Sequence, residues 1–378
     1  MKRVRPAVHY QHPNAPIRML ADRAIPGVAR AFAQTLRLGQ KLFDRKKAAA
    51  LISQGHYDEV ATLIGWHHQD EAMRRPLGLL GKVFHDGARI GARKLNGSFT
   101  SRRRVVRYRK AQAQPTIPAG MTLEAYLMER AVSKDAADLF DFDMFDPVTE
   151  TVIRNYQDAL ITALNADQRA SVNSIIREGL RTGETPEEIA DRLAMVIGLT
   201  APQARAVENF RQALVNAERY SNIDSPLISA ADAALARQAV EDGEALDADR
   251  IDQILMGYIG RQLNYRAQTI ATTETTRAAS MGLQGAYQQA VDRGVMPIEA
   301  LTKRSQIALD EKVCALCLSI VDMNPDGVGL DEQFDSIEGP VDGPSYHTSC
   351  RCSILIETNL DLVPDDETSD MGFSVDGG

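Results

Sequence analysis

Four cysteines and one late histidine are the residues of this chain best suited to chemistry, and they lie in two short stretches. One reads VCALC and carries Cys314 and Cys317; the other reads YHTSCRC and carries His347, Cys350 and Cys352. No cysteine occurs elsewhere, and no histidine but His347 follows His85. A Cys-x2-Cys spacing lets two thiolates share one tetrahedral ion, and His-x2-Cys-x-Cys supplies the other half. Soft thiolates with one imidazole suit zinc, which needs no redox partner. The pattern predicts one structural zinc per chain. Five donors compete for four places. Cys314 and Cys317 come first and Cys350 next; His347 and Cys352 contend for the last place, with His347 preferred and the loser supporting the ligands from behind.

The rivals are specific. Four reduced cysteines could bind nothing. A redox dithiol needs only one Cys-x2-Cys and leaves the second stretch unexplained. A zinc nuclease of the His-Asn-His kind wants further histidines near the ligands. A catalytic zinc wants an open position and a general base; Asp310, Glu311 and Asp322 read equally well as turn and knuckle residues.

The ligands must be held by something, and the region after Pro297 has little to offer. Gly and Pro recur through NPDGVGLDEQFDSIEGPVDGP, and CSILI at 352–356 is the clearest strand. Such a unit buries too little apolar surface to fold unaided, whereas a structural zinc contributes on the order of 10 kcal/mol. Upstream, a long helical pattern runs from about Asp247 to Arg293 and stops at Gly294. Its middle, IATTETTRAASMG, is polar for a packed helix. Glu274 and Arg277 stand three apart there, either as an exposed ion pair or as a buried polar anchor.

Earlier helix starts are written plainly. Asp146-Pro147, Asn165 to Gln168, Thr185 to Glu188 and Thr200 to Gln203 match N-caps or capping boxes, and Gly183 and Gly198 sit where short helices should stop. Leu80, Val83, Phe84, Gly87, Ala88, Gly91, Ala92 and Leu95 trace one helix face, with Asn96-Gly97 as its expected end. The fold class expected is mainly α: a multi-helix body followed by a small zinc-stapled α+β or irregular C-terminal unit. The segments expected are a basic helical region 1–110, a linker 111–120, a helical core 121–300, a zinc unit 301–357 and an acidic disordered tail 358–378.

At 378 residues, 44% hydrophobic and 25% charged, the chain is of globular composition and long enough for two or three domains. No apolar run is long enough to span a membrane and none follows the basic N-terminus, so neither a membrane span nor a leader is expected. A reducing cytoplasm then favours metal over disulfides. The net charge of −8 hides a division: residues 1–114 hold 23 Lys and Arg against 7 Asp and Glu, a balance of +16, and the rest carries −24. The densest basic run is SRRRVVRYRK, with Arg102, Arg103, Arg104, Arg107, Arg109 and Lys110. It reads as a solvated linker, or as a contact for DNA phosphates or an acidic protein face.

Taken together, these motifs resemble the Mu F-like head-morphogenesis proteins of tailed bacteriophages, the minor capsid proteins encoded beside the portal. The residues that carry the resemblance are the helix ATTETTRAASMG, then Asp310-EKV-Cys314-AL-Cys317, then Pro344-SY-His347-TS-Cys350-Arg351-Cys352. Phe334 falls where that family usually has an aromatic, and residues 177–214 look like its preceding helical region. Two positions depart from the family: Thr272 stands for an arginine and Ser305 for a tryptophan. The resemblance covers about 146–357. It implies a structural virion component, not an enzyme, near the portal or inner capsid and assembled in the host cytoplasm. Its expected role is head assembly, with DNA packaging or ejection beside it. Portal protein and other capsid components are the expected partners, double-stranded DNA a further one through the basic region, and no small-molecule substrate. The alternative is a zinc-dependent hydrolase or nuclease acting on packaged DNA.

Overall fold

The computed structural model of the chain describes residues 15–66, 70–112, 140–308 and 313–363, without the side chains of 99–112. The expected linker from 113 on and the tail beyond 363 lie outside these residues. The protein is mainly helical. The helices are α1 (Ala15–Leu42), α2 (Arg45–Ser53), α3 (Tyr57–Thr62), α4 (Glu71–Gln112), α5 (Pro147–Thr182), α6 (Pro186–Val196), α7 (Ala201–Val215), α8 (Ala230–Asp242), α9 (Ala248–Asp292) and α10 (Ala315–Met323). Strands β1 (Leu301–Gln306), β2 (Val328–Gly329) and β3 (Ser353–Thr358) form an antiparallel sheet in the order β2-β1-β3. Among the described residues no helix is long and apolar enough to cross a membrane.

The chain divides into two compact units, each gathered from separated stretches. One comprises Arg23–Gly81 and Glu150–Thr272. Its core contains Phe32, Leu36, Trp66, Ile176, Ile189, Phe210, Tyr258 and Leu263. Both capping boxes form: Thr185 with Glu188 opens α6, and Thr200 with Gln203 opens α7. The helix start expected at Asn165 does not. Helix α5 runs straight through it, because Asn165 spends its side chain elsewhere: Oδ1 accepts from the Trp66 N–H at 2.7 Å and Nδ2 donates to the Trp66 carbonyl at 2.8 Å. Gln168 likewise accepts from the Gly198 N–H. Arg192 lies buried between Glu184 and Glu208, so its charge is compensated rather than stranded.

The other unit comprises Met1–Asp22, Lys82–Thr149 and Thr273–Gly378, and it holds the cysteine stretches. Here α4 does not end at Asn96-Gly97 but continues to Gln112. The reason repeats that at Asn165: Asn96 donates to the Phe140 carbonyl and accepts from its N–H, so the residue serves a neighbouring segment instead of a cap. Helices α4 and α9 touch backbone to backbone. A Cβ on Gly282 would stand 2.0 Å from the Phe84 carbonyl oxygen, and one on Gly87 2.4 Å from that of Ala279. Gln289 of α9 accepts from the Asp143 N–H and donates to its carbonyl, tying down the chain before α5. Strand β1 pairs with β3 from Leu301 opposite Thr358 to Gln306 opposite Ser353. Disorder expected from 358 onward is therefore corrected: Thr358 is in the sheet, the Asn359 N–H donates to the Ala300 carbonyl, and Val363 is buried.

The glycine contacts set a clear expectation. Gly282→Ala and Gly87→Ala should each destabilise the protein by at least about 2 kcal/mol, since backbone must move to admit the methyl. Gly97→Ala, with nothing within 4 Å of the added Cβ, should instead stabilise by about 0.5–1 kcal/mol. Thermal unfolding of the three variants distinguishes close backbone approach from a general intolerance of α4 and α9 to substitution.

Candidate metal centre

Helix α10 begins at the first cysteine pair. Cys314 is its N-cap, and its sulfur accepts the Cys317 N–H at 3.4 Å. That leaves Cys317 in the first helical turn, its sulfur close to that of Cys314. His347 meets both sulfurs: its Nε2 lies 3.3 Å from Cys314 Sγ and 3.2 Å from Cys317 Sγ. The opposite ring nitrogen, Nδ1, is 2.8 Å from the Thr348 carbonyl. A carbonyl can only accept, so Nδ1 carries the proton and the neutral ring turns the Nε2 lone pair toward the cysteines. Across the site Cys317 Sγ is 3.9 Å from Cys350 Sγ, far beyond a disulfide bond of about 2.05 Å. All four thiols are free.

All five sequence-predicted donors thus come together, as two overlapping triads. Cys314, Cys317 and His347 form one and Cys317, Cys350 and Cys352 the other, each with its ligand atoms within 4.8 Å of one another. Cys317 belongs to both. These groups could hold a metal ion. Cys317, Cys350 and Cys352 are buried, and Ile307, Val313 and Tyr346 pack around them. A hydrogen bond from Cys317, then one from Cys352, holds the Cys350 thiol down at about 2, while the same contact with Cys350 drives Cys317 upward. Four sulfurs and one imidazole gathered this closely suit a divalent ion better than four neutral thiols.

The second stretch is held by α9. Thr273 contributes two bonds: its carbonyl accepts the Ser345 hydroxyl at 2.7 Å, and its Oγ1 accepts the Ser349 N–H at 2.8 Å. These two contacts bracket His347. Further along α9, Gln284 donates to the Leu330 carbonyl, and buried Tyr287, its hydroxyl pushed up to about 12 by burial, shares a hydrogen bond with Thr358. Glu274, one residue past Thr273, is buried, with Arg277 Nη1 3.3 Å away and itself 40% exposed. Phe334 is fully buried and meets Tyr346 edge-on at 6.3 Å.

Two groups escaped sequence reasoning. The role of Thr273 had a faint signal in the polarity of a helix that must be packed. Lys303 had none. In β1, beside Arg304, it reads as an exposed strand residue, yet it is 2% exposed. Its Nζ donates to the carbonyls of Glu332 and Asp342 at 2.8 and 3.1 Å and lies over the Phe334 ring. Burial lowers its pKa against the pull of Asp342, Asp331 and Glu332. Together with buried Phe334 it pins the irregular 331–342 segment. Of the acids near the ligands, Asp322 is exposed, and Asp310 and Glu311 lie outside the described residues. Arg102, Arg103, Arg104, Arg107, Arg109 and Lys110 fall on the last turns of α4, away from the cysteine stretches in sequence and with side chains outside the description.

Compared with protein-family models, curated proteins and solved structures, the chain matches none. The site must be judged on its own chemistry.

If Thr273 orients the His347 loop, Thr273→Val should weaken metal binding about 10-fold or more, the usual cost of losing a group that positions a ligand. Thr273→Ser, which keeps the acceptor, should restore it. Chelator competition measures both, and equal affinity for Val and Ser would remove the positioning role.

Proposed function

We propose that this protein is a structural minor head protein of a tailed phage, stapled by one zinc and acting in head assembly at the portal or inner capsid. The observation that carries the reading is the contact of Thr273 with Ser345 and Ser349, 72 and 76 residues further along the chain. It joins the two halves of the resemblance, the Thr-Glu helix and the His/Cys loop, into one piece of structure. Three of the four cysteines are buried among apolar groups, which suits a staple rather than an open reaction centre.

The donor set supports zinc. With Zn–S of about 2.3 Å and Zn–N of about 2.0–2.1 Å, a tetrahedron has S···S edges near 3.8 Å and S···N edges near 3.5 Å. The protein offers 3.9 Å between Cys317 and Cys350, and 3.3 and 3.2 Å from His347 to Cys314 and Cys317. Cys314, Cys317, His347 and Cys350 are therefore the proposed ligands. Cys352, which shares the second triad with Cys317 and Cys350, is the fifth donor and is proposed to support them. The ion would supply a cross-link between α10 and the strand-side loop, contributing on the order of 10 kcal/mol to a unit with little core.

Protein purified without added metal should carry one zinc per chain by elemental analysis. Cys317→Ser, which removes the sulfur common to both triads, should lose it and unfold the region after 301. Cys352→Ser should keep it; loss there with retention in His347→Ala would exchange the two assignments. For the head-protein reading, purified particles of the encoding phage should contain this chain in few copies, retained or expelled when the DNA leaves. Its absence from particles would end that reading while leaving the zinc assignment intact.

A further inference from the structure

The continuation of α4 through Asn96-Gly97 changes what the basic run can do. On a flexible linker, six cations would have no fixed spacing. On one helix they have a register with everything before them. At about 100° per residue, Lys82, Arg89, Arg93, Arg104 and Arg107 fall within an arc of about 60°. Buried Leu80, Phe84, Ala88, Gly91 and Leu95 occupy the opposite side of the helix. The five positions thus share one side of the helix by register, the side that carries exposed Lys82, Arg89 and Arg93.

The described part of that face is available. Lys82, Arg89 and Arg93 are exposed, and among the described residues none of them has a carboxylate partner within 4.0 Å. Arg93 donates only to the Arg89 carbonyl of its own helix. The one acid on this side, Asp86, lies 3.7 Å from His85 Nδ1. From Lys82 to Arg107 the helix advances about 38 Å, close to one turn of B-form duplex at about 34–36 Å. A major groove about 12 Å wide admits a helix. Asn96, the residue of this stretch best suited to read a base edge, is engaged by Phe140.

We propose that the outward face of α4 is a rail for the phosphate backbone of duplex DNA, binding without regard to sequence. It attracts a polyanion although the whole chain is at −8, because the exposed cations are gathered on one face and salt screens the distant acids over about 10 Å. Binding by five such contacts should fall with salt at a slope of about −4.5, a loss of roughly 500-fold between 50 and 200 mM.

The full-length protein, titrated with two duplexes of unrelated sequence across that salt range, tests the rail. Both duplexes should bind alike. Arg104→Ala with Arg107→Ala should flatten the slope to about −2.7, and Arg89→Ala with Arg93→Ala should do the same. Arg102→Ala with Arg109→Ala removes as much charge from the other side of the helix and should leave the slope unchanged. Helical circular dichroism and bound metal equal to the parent's would show each variant to be folded. Equal flattening by all three pairs would mean diffuse attraction and overturn the rail. So would failure to bind either duplex at 50 mM salt while binding polyglutamate, which would make the face a dock for acidic protein.

Discussion

At Gly282 the backbone of α9 comes against the backbone of α4, and much of this unit follows from that contact. No side chain fits between the two helices at this point, as the space at Gly87 and Gly282 makes plain. On the same stretch of α9, Ala271, Ala278, Ala279, Ala286 and Ala290 are all nearly or fully buried. A polar side chain buried on such a helix must find a protein partner or lose about 1–3 kcal/mol, a loss that the Thr275 and Ser280 hydroxyls take. Thr273 meets that demand by gripping the His347 loop, and Glu274 by pairing with Arg277. The polarity that looks wrong for a buried helix is what docks the metal unit on it.

The metal unit, for its part, lacks the means to fold by burial alone. Its sheet is six residues long in β1 and β3 and two in β2. The turns between β2 and β3 are held by Lys303 through two carbonyls and by Phe334 pairing with Val341. Directional bonds supplement a small core, and an ion held by the cysteine cluster would add to them. This explains why donors from both ends of the unit converge on Cys317: a cross-link between distant parts of a loop-rich segment stabilises more than one between neighbours, because it closes a longer loop.

Much of this was legible from sequence, and where legibility failed the reason is specific. Caps are local, so Thr185-Glu188 and Thr200-Gln203 could be read from four residues each, and both form as expected. Metal spacing is local too, and all five donors meet. Asn96 and Asn165 misled because asparagine's amide serves a helix end and a distant backbone equally well; each instead pairs with the N–H and carbonyl of one residue far along the chain. Lys303 gave no signal because its neighbours in sequence say nothing about Glu332 and Asp342, whose carbonyls make its burial tolerable. The strand at 352–356 is legible from its own residues, but the expected tail begins too early at 358, because Thr358 and Asn359 are held by pairing with Leu301 and Ala300 and not by their own composition.

The same distinction sorts the cations. Those the fold consumes are enclosed and matched: Arg192 with Glu184 and Glu208, Arg266 with Asp167 and the Gly198 carbonyl, Lys303 with two carbonyls. Each of these holds segments together that would otherwise part. Arg89 and Lys82 do nothing of the kind, being exposed on a helix whose packing is settled by glycine and alanine on its other side. Charge that contributes nothing to folding, yet recurs on one face from Lys82 to Arg93, costs the protein self-repulsion with no return in stability. A partner of opposite charge is the physical condition under which that arrangement makes sense.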